Sequence, residues 1–170
     1  MLLTKTSIES ERFILRNIDP TCDNLKSYLT WMRNPEENKF IISARHDYSL
    51  EELNDFIKLK NDSLDSLLLG IFDKFDNKHI GNIKLEPLIL NQSACIGILI
   101  GDSIYRNKGV GFEILNKVIR FTNLEYSVRH FYLGVDSHNY AAIRLYTKLN
   151  FRKDTNKLNL KDGIEMSLYL

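Results

Sequence analysis

Cysteine, proline and tryptophan are scarce in this chain, which has two, three and one of them among 170 residues. Two cysteines without a close pair motif or a secretion-type leader do not indicate a disulfide scaffold. We therefore expect Cys22 and Cys95 to be free thiols in a reducing cytoplasm. No apolar run approaches the ~20 residues of a membrane-spanning helix. A formal net charge of +1 gives no general attraction to nucleic acid or to anionic lipid.

The remaining composition is that of an ordinary globular protein, with 44% hydrophobic and 26% charged residues. This length can bury a substantial core within one domain, so we expect a single domain over residues 1–170. We expect it to act as a monomer or a homodimer, without a nucleic-acid partner or a membrane span.

The most informative stretch runs from Ser93 to Thr122. Its first part, Cys95 to Gly101, is a short isoleucine-rich run that predicts a buried strand. Its last part, from Gly111, has apolar residues at the spacing of one helix face. Between them lies a basic, glycine-containing turn, which consists of Arg106, Asn107, Lys108, Gly109, Val110 and Gly111.

A glycine turn between a strand and a helix start is suited to binding an anion. The first N–H groups of a helix lack intrahelical partners, and the helix dipole adds roughly half a positive charge there. Glycine lets an anion approach the backbone, and Arg106 and Lys108 add charge, so a diphosphate is the expected guest. The Walker loop and the dinucleotide fingerprint are both excluded, because Val110 follows Gly109 and Ile114 replaces the third glycine. A plain turn before a surface helix is the alternative.

The pattern Arg-x-x-Gly-x-Gly between a strand and an amphipathic helix resembles the acyl-coenzyme A loop of the GNAT N-acetyltransferases. The resemblance implies acetyl-CoA as co-substrate, no metal, and an α/β (α+β) fold. That fold has a mixed, mostly antiparallel sheet of about six to seven strands flanked by about four helices. The hydrophobic patterns agree with this order, predicting strands at 11–18, 67–72, 79–85, 95–101, 131–136, 151–153 and 164–170, and helices at 24–33, 50–61, 111–122 and 139–149.

Two further segments resemble one branch of that family. Ser10 to Arg16 is similar to the opening strand of the ribosomal-protein acetyltransferases. Trp31 to Pro35 is similar to a corner found there and in bacterial amino-sugar acetyltransferases. This corner implies that Arg33 and Asn34 contact the acceptor.

Asn139 and Tyr146 are seven residues apart, which places them within about 20° of each other around a helix. The segment Val135 to Phe151 resembles the family's N-x-x-(A/S)-x-x-x-Y-x-x-x-G-F pattern, with Asn150 in place of the glycine. The resemblance implies that Asn139 contacts coenzyme A and that the Tyr146 hydroxyl protonates the leaving thiolate. The alternative is that Tyr146 packs in the core and Asn139 only caps the helix.

The resemblance also implies that the backbone of Ile98, Leu99 and Ile100 pairs with the pantetheine amides. It leaves the general base open, because the usual glutamate positions fall at Ala94–Cys95 and near Gly134. Glu86 is our candidate for this role. The other possibilities are a chain of waters or one of four further side chains: His46, Asp47, His79 and His138. Cys95 could instead accept the acetyl group in a ping-pong scheme, although no His or Asp pattern supports this.

The sequence thus predicts an acetyl-CoA-dependent N-acetyltransferase in which a primary amine attacks the thioester directly. We expect a small-molecule amine as acceptor, with a nucleotide-linked amino sugar as one example. A protein N-terminal acetyltransferase and a non-catalytic acyl-CoA-binding domain are the two alternatives.

Overall fold

The computed structural model describes residues 7–23, 25–34, 48–154 and 163–170. Over these residues the chain forms one eight-stranded sheet in the order β1-β2-β3-β4-β5-β6-β8-β7, flanked by four α-helices. The strands are β1 Ser7–Glu9, β2 Phe13–Arg16, β3 Leu67–Asp73, β4 His79–Ile89, β5 Ser93–Ile100, β6 His130–Asp136, β7 Arg152–Asp154 and β8 Gly163–Tyr169. The helices are α1 Leu25–Arg33, α2 Leu50–Asn61, α3 Val110–Tyr126 and α4 Tyr140–Lys148, with a 3₁₀ turn at Ser103–Tyr105.

The sheet is antiparallel except for the parallel pair β5–β6, which confirms the predicted mixed, mostly antiparallel architecture. It has one strand more than predicted, because β1 at Ser7–Glu9 precedes the predicted segment 11–18, in which β2 forms over Phe13–Arg16. The chain makes a hairpin there, in which Ser10 N–H donates to the Phe13 carbonyl at 2.9 Å. Glu11 and Arg12 therefore lie in the turn between β1 and β2.

Strand β4 also differs from the prediction that Pro87 ends it. The strand continues to Ile89, and its register with β5 shifts between Leu85 and Leu88. The shift has a simple cause, since proline has no N–H to donate to the ladder and strands accommodate it at a bulge.

Helix α2 begins where the sequence predicts. Ser49 Oγ accepts from the Glu52 N–H at 3.1 Å, and the Glu52 carboxylate accepts from the Ser49 N–H at 2.8 Å. This reciprocal capping box satisfies two donors that the first helical turn would otherwise leave unpaired.

The two faces of the sheet carry separate hydrophobic cores. Helices α3 and α4 cover one face, where Ile114, Leu115 and Val118 are fully buried within the larger cluster. Helices α1 and α2 pack on the opposite face in a smaller cluster that includes Trp31. A Cβ built on Gly101 would lie 2.0 Å from the Trp31 ring, so this glycine lets α1 pack directly against the end of β5.

Candidate active site

Strands β5 and β6 separate partway along their length. They pair only over Ser93–Cys95 and His130–Tyr132, whereas β6 remains paired with β8 as far as Asp136. Within the described part of the chain, the β6-facing edge of β5 is therefore unpaired from Ile96 to Ile100. A row of open N–H and C=O groups in a sheet is a template for an extended ligand, as when an added strand binds to a sheet edge.

Successive peptide groups of a strand point to opposite edges, so the open groups can be assigned. The Gly101 N–H donates to the Ile80 carbonyl of β4 at 3.0 Å, and Leu99 pairs with Asn82 of the same strand. The peptide groups of Leu99 thus belong to the β4 ladder. Those of Ile98 and Ile100 face the gap, and the Ile100 carbonyl already accepts from Arg106.

The predicted anion loop lies at the wide end of this gap. Asn107 and Gly109 adopt positive φ angles of 58° and 75°, in the left-handed region. Gly109 is the N-cap of α3 and offers no side chain, so the first N–H groups of the helix are not capped by it. Alternating right- and left-handed residues point backbone N–H groups into a shared concavity that suits phosphate.

Arg106 braces the loop against β5 with hydrogen bonds to two backbone carbonyls. Its Nε donates to the Ile100 carbonyl at 2.8 Å and its Nη2 to the Gly101 carbonyl at 3.1 Å. The sequence suggested that Arg106 would add its charge to a bound diphosphate. These two contacts show that it also fixes the loop to the end of β5, and Lys108 of the same loop is exposed.

The two loop glycines are needed for different structural reasons. Gly109 requires its positive φ, which costs other residues about 1–2 kcal/mol. A Cβ on Gly111 would lie 2.8 Å from Leu145 Cδ2, so this glycine lets α3 and α4 pack closely. Gly111 therefore has a packing role between α3 and α4 in addition to its predicted place in the anion loop.

A clamp that the sequence did not indicate joins the β1–β2 turn to the start of α3. The Glu113 carboxylate accepts from Ser10 Oγ at 2.7 Å, from the Arg12 N–H at 2.8 Å and from Arg12 Nε at 2.7 Å. Burial alone would raise the pKa of Glu113, but these hydrogen bonds and the Arg12 charge lower it overall. The sequence signal for this clamp was Glu113 itself, two residues after the predicted phosphate loop. Its negative charge must be neutralised for an anion to bind nearby.

Tyr146 lies on α4 within the larger core, 7% exposed, with its ring centroid 5.9 Å from that of Phe151. No hydrogen-bond partner of its hydroxyl occurs among the described residues. Burial raises the pKa of Tyr146 to about 12, so the hydroxyl stays protonated at neutral pH and can donate. Ile98 and Ile100, which border the gap, pack against the same core cluster.

Asn139 caps α4, as the alternative interpretation proposed. Its Oδ1 accepts from the Ala142 N–H at 3.2 Å, and the helix begins one residue later, at Tyr140. The helix ends before Asn150, which takes a positive φ of 67° at the position where the family has glycine.

Glu86, the predicted base, forms ion pairs with Lys60 and with Lys84, the latter at 2.8 Å. Burial raises the pKa of Glu86, but the hydrogen bonds from the two lysines lower it overall. A carboxylate held by two cations is a poor proton acceptor, so the geometry argues against this role.

The other candidate bases also have local partners or lie elsewhere. His79 is 6% exposed, its Nε2 lies 2.9 Å from Asn82 Oδ1, and burial lowers its pKa. His138 is exposed, and its Nδ1 lies 3.1 Å from Asp136 Oδ1. His46 and Asp47 lie outside the described residues, as does Pro35 of the predicted corner.

The two predicted acceptor residues lie at the end of α1. Arg33 Nε and Nη2 donate to the Tyr48 carbonyl at 3.1 and 2.6 Å. The Asn34 N–H donates to the Thr30 carbonyl at 3.0 Å. Arg33 thus joins the end of α1 to the residue just before the N-cap of α2.

Cys95 is half-buried at the point where β5 leaves β6. Burial raises the pKa of its thiol, which is the opposite of what an acetyl-accepting nucleophile needs. Among the described residues, no group of three or more His, Cys, Asp or Glu side chains could hold a metal ion. No helix of the described ranges is long and apolar enough to cross a membrane.

Comparison with known proteins assigns this arrangement to a family. Residues 12–152 match the family described as "Acetyltransferase (GNAT) domain", and the chain belongs to that family. The chain is 35% identical over 72 residues to an N-alpha-acetyltransferase of Saccharolobus solfataricus. That match covers 42% of each protein, so the chain spans under half the length of this curated relative.

Solved structures share the fold at low sequence identity. The ribosomal-protein acetyltransferase RimL in complex with coenzyme A superposes with a TM-score of 0.80 at 16% identity, covering 97% of this chain and 98% of that one. The microcin C7 self-immunity acetyltransferase MccE in complex with acetyl-CoA and AMP gives 0.76 at 15%, covering 94% and 93%.

Proposed function

We propose that this chain is an acetyl-CoA-dependent N-acetyltransferase whose reaction takes place where β5 and β6 separate. The observation that carries the proposal is the unpaired edge of β5, which runs from Cys95 toward a loop built to bind an anion. An extended ligand with a diphosphate at one end matches both features. Coenzyme A has this chemistry, and it is bound in the RimL structure.

Each part of the site has a definite task. The loop from Arg106 to Gly111 and the first N–H groups of α3 hold the diphosphate. The backbone of Ile98 pairs with the pantetheine arm, and a neighbouring N–H polarises the thioester carbonyl. Tyr146 donates its proton to the sulfur as the thioester breaks. The acceptor amine approaches from the α1–α2 face, because Arg33 and Asn34 lie at the end of α1, whereas Tyr146 lies in the core of the α3–α4 face.

We further propose the α-amino group of a polypeptide as the acceptor, with a small amine such as an amino sugar as the second candidate. The N-alpha-acetyltransferase relative supports the first candidate. The resemblance of Trp31 to Pro35 to amino-sugar acetyltransferases supports the second. Both acceptors present a primary amine to the same gap.

A panel of acceptors tests the proposal. Peptides with free amino termini, the same peptides with blocked termini, and amino sugars are incubated with acetyl-CoA while thiol release and acetylated product are measured. We expect saturable thiol release matched by product for the free-terminus peptides, and none for the blocked peptides. Transfer to amino sugars alone would favour the second acceptor. Saturable acetyl-CoA binding without transfer to any amine would indicate a non-catalytic binding domain instead.

A further inference from the structure

We propose that Glu165 of β8 is the general base of this site, accepting the proton that the acceptor ammonium must lose before it attacks. This inference rests on the proposed function and extends it to a residue that the sequence did not indicate. Strand register carries the argument. Gly134 of β6 lies directly opposite Glu165, and the family resemblance puts one of the usual glutamate positions near this glycine. The register thus places a carboxylate of β8 beside a position of β6 that has no side chain.

The side chain of Glu165 lies on the acceptor face. Residues two apart in a strand share a face, so Tyr132 and Gly134 lie together, and Cys95 pairs with Tyr132 across β5–β6. Burial is the main reason that the pKa values of Cys95 and Tyr132 are raised, and the charge of Glu165 contributes to both. The carboxylate is therefore electrostatically close to the two residues at which β5 and β6 separate.

Glycines stand on both sides of the gap on the face that carries this carboxylate. A Cβ built on Gly97 of β5 would meet no heavy atom within 4 Å among the described residues. Gly134 is exposed and likewise has no side chain to fill the surface. These two glycines lie on opposite strands of the gap, so neither position adds a side chain that would block an approaching amine. Glu165 itself is 4% exposed, which limits its contact with bulk water.

The charged and titratable groups around Glu165 on the same face differ in their ability to accept a proton from the ammonium. Asp154 of β7 lies directly opposite it, and Lys84 and Glu86, both on β4, form an ion pair with each other. Glu86 is held by two lysines, and Cys95 and Tyr132 are poor acceptors of a proton from an ammonium because they are already protonated. Among the described residues, the charged and titratable side chains that β4 to β8 carry on this face are His79, Lys84, Glu86, Cys95, His130, Tyr132, Asp136, Arg152, Asp154, Glu165 and Tyr169.

The proton balance of the step is complete. The ammonium gives one proton to the Glu165 carboxylate, and the free amine forms the new C–N bond as the C–S bond breaks. The nitrogen loses its second proton to water as the intermediate collapses, and Tyr146 supplies one proton to the departing sulfur. Water then reprotonates Tyr146, and Glu165 releases its proton to solvent. The sum is one acetyl-CoA and one ammonium converted to amide, thiol and one proton, with no oxidant or metal involved.

Three variants test the assignment in the full-length protein: Glu165→Gln, Glu165→Asp and Glu86→Gln. The glutamine has the same shape as the native side chain but cannot accept a proton, so we expect kcat/KM for the amine to fall ~10²- to 10⁴-fold. Acetyl-CoA affinity measured by calorimetry should remain within a factor of about two, because Glu165 lies on the acceptor face and not in the loop proposed to hold the diphosphate. Glu165→Asp keeps the carboxylate and should recover part of the loss.

The pH dependence separates proton transfer from a structural role. As pH rises toward the pKa of the acceptor amine, more amine arrives unprotonated, so the deficit of Glu165→Gln should shrink. A deficit that is constant with pH, or a larger loss in Glu86→Gln, would overturn the assignment. Wild-type protein that binds acetyl-CoA but acetylates no amine would refute the proposed function and the base together. Wild-type transfer with an unaffected Glu165→Gln variant would refute the base alone.

Discussion

Arg12 and Glu113 form an ion pair with Nε and Oε2 2.7 Å apart, although 101 residues separate them in the chain. The same guanidinium donates from Nη2 to the Lys108 carbonyl at 3.1 Å. Arg12 therefore holds the β1–β2 turn, the anion loop and the first turn of α3 in one arrangement. It also neutralises a carboxylate that would otherwise repel a diphosphate on the loop.

We expect Arg12→Ala to raise the KM for acetyl-CoA several-fold while the KM for the amine changes little. The loop would lose its contact at Lys108, and Glu113 would keep an uncompensated charge beside the diphosphate. The control is Lys117→Ala, which removes one positive charge from an exposed position on the same helix. Equal effects of both variants on acetyl-CoA would mean that general charge, not the clamp, controls affinity.

The clamp should also make stability depend on pH. Because the pKa of Glu113 is lowered in the folded state, its contribution is present above the ordinary glutamate value of about 4.3 and is lost as pH falls below it. Glu113→Gln should cost roughly 1–3 kcal/mol at pH 7, because it removes the charge that pairs with Arg12 and puts an NH2 donor in place of the oxygen that accepts from Arg12 Nε. Urea unfolding at pH 7 and near pH 4 measures this difference between the two proteins. A difference that does not shrink at the lower pH would contradict the lowered pKa.

The two loop glycines should respond differently to alanine. Gly109→Ala forces a side chain into the left-handed region and should weaken acetyl-CoA binding several-fold by distorting the loop. Gly111→Ala pushes a methyl group against Leu145 and should shift α4, which carries Tyr146, so kcat should fall more than acetyl-CoA affinity. Calorimetry and steady-state kinetics on both variants check this. If both variants changed acetyl-CoA affinity and kcat to the same extent, the two glycines would not have separate roles.

Arg33 should influence the acceptor side of the reaction. Arg33→Ala removes two hydrogen bonds to the Tyr48 carbonyl and frees the end of α1 from the start of α2, the helices of the acceptor face. We expect a raised KM for the amine and a nearly unchanged KM for acetyl-CoA. Arg33→Lys keeps the charge but cannot reproduce both bonds, so it should resemble the alanine variant. A change in the KM for acetyl-CoA alone would contradict this and indicate that Arg33 acts on coenzyme binding.

The elements with regular local patterns could be predicted from the sequence. The capping box at Ser49 and Glu52 indicated the start of α2, and the apolar spacing after Gly111 indicated α3. These features depend on neighbours within four residues, so local composition contains the information. The turn at Glu11 and Arg12 was not predicted, because the alternation of the flanking residues continues through it.

The parts of the site that depend on strand register could not be predicted. Arg12 reaches Glu113 and Lys108 only because the hairpin β1–β2 lies beside the start of α3. Glu165 lies opposite Gly134 only because β8 inserts between β6 and β7. Glu86 was a reasonable candidate as an isolated carboxylate. Its two lysine partners come from helix α2 and from its own strand β4, and the contact with α2 depends on the tertiary fold.

The kinetics of Tyr146→Phe test most directly whether chemistry occurs where β5 and β6 separate. This change removes one hydroxyl and conserves the packing of a buried ring. We predict that kcat falls roughly tenfold to a hundredfold, because a thiolate leaves more readily than an amine and needs less help from a general acid. Acetyl-CoA affinity should be unchanged, since this interaction strengthens as the thiolate forms. A wild-type kcat in the variant, with the chemical step shown to be rate-limiting, would contradict the role of Tyr146.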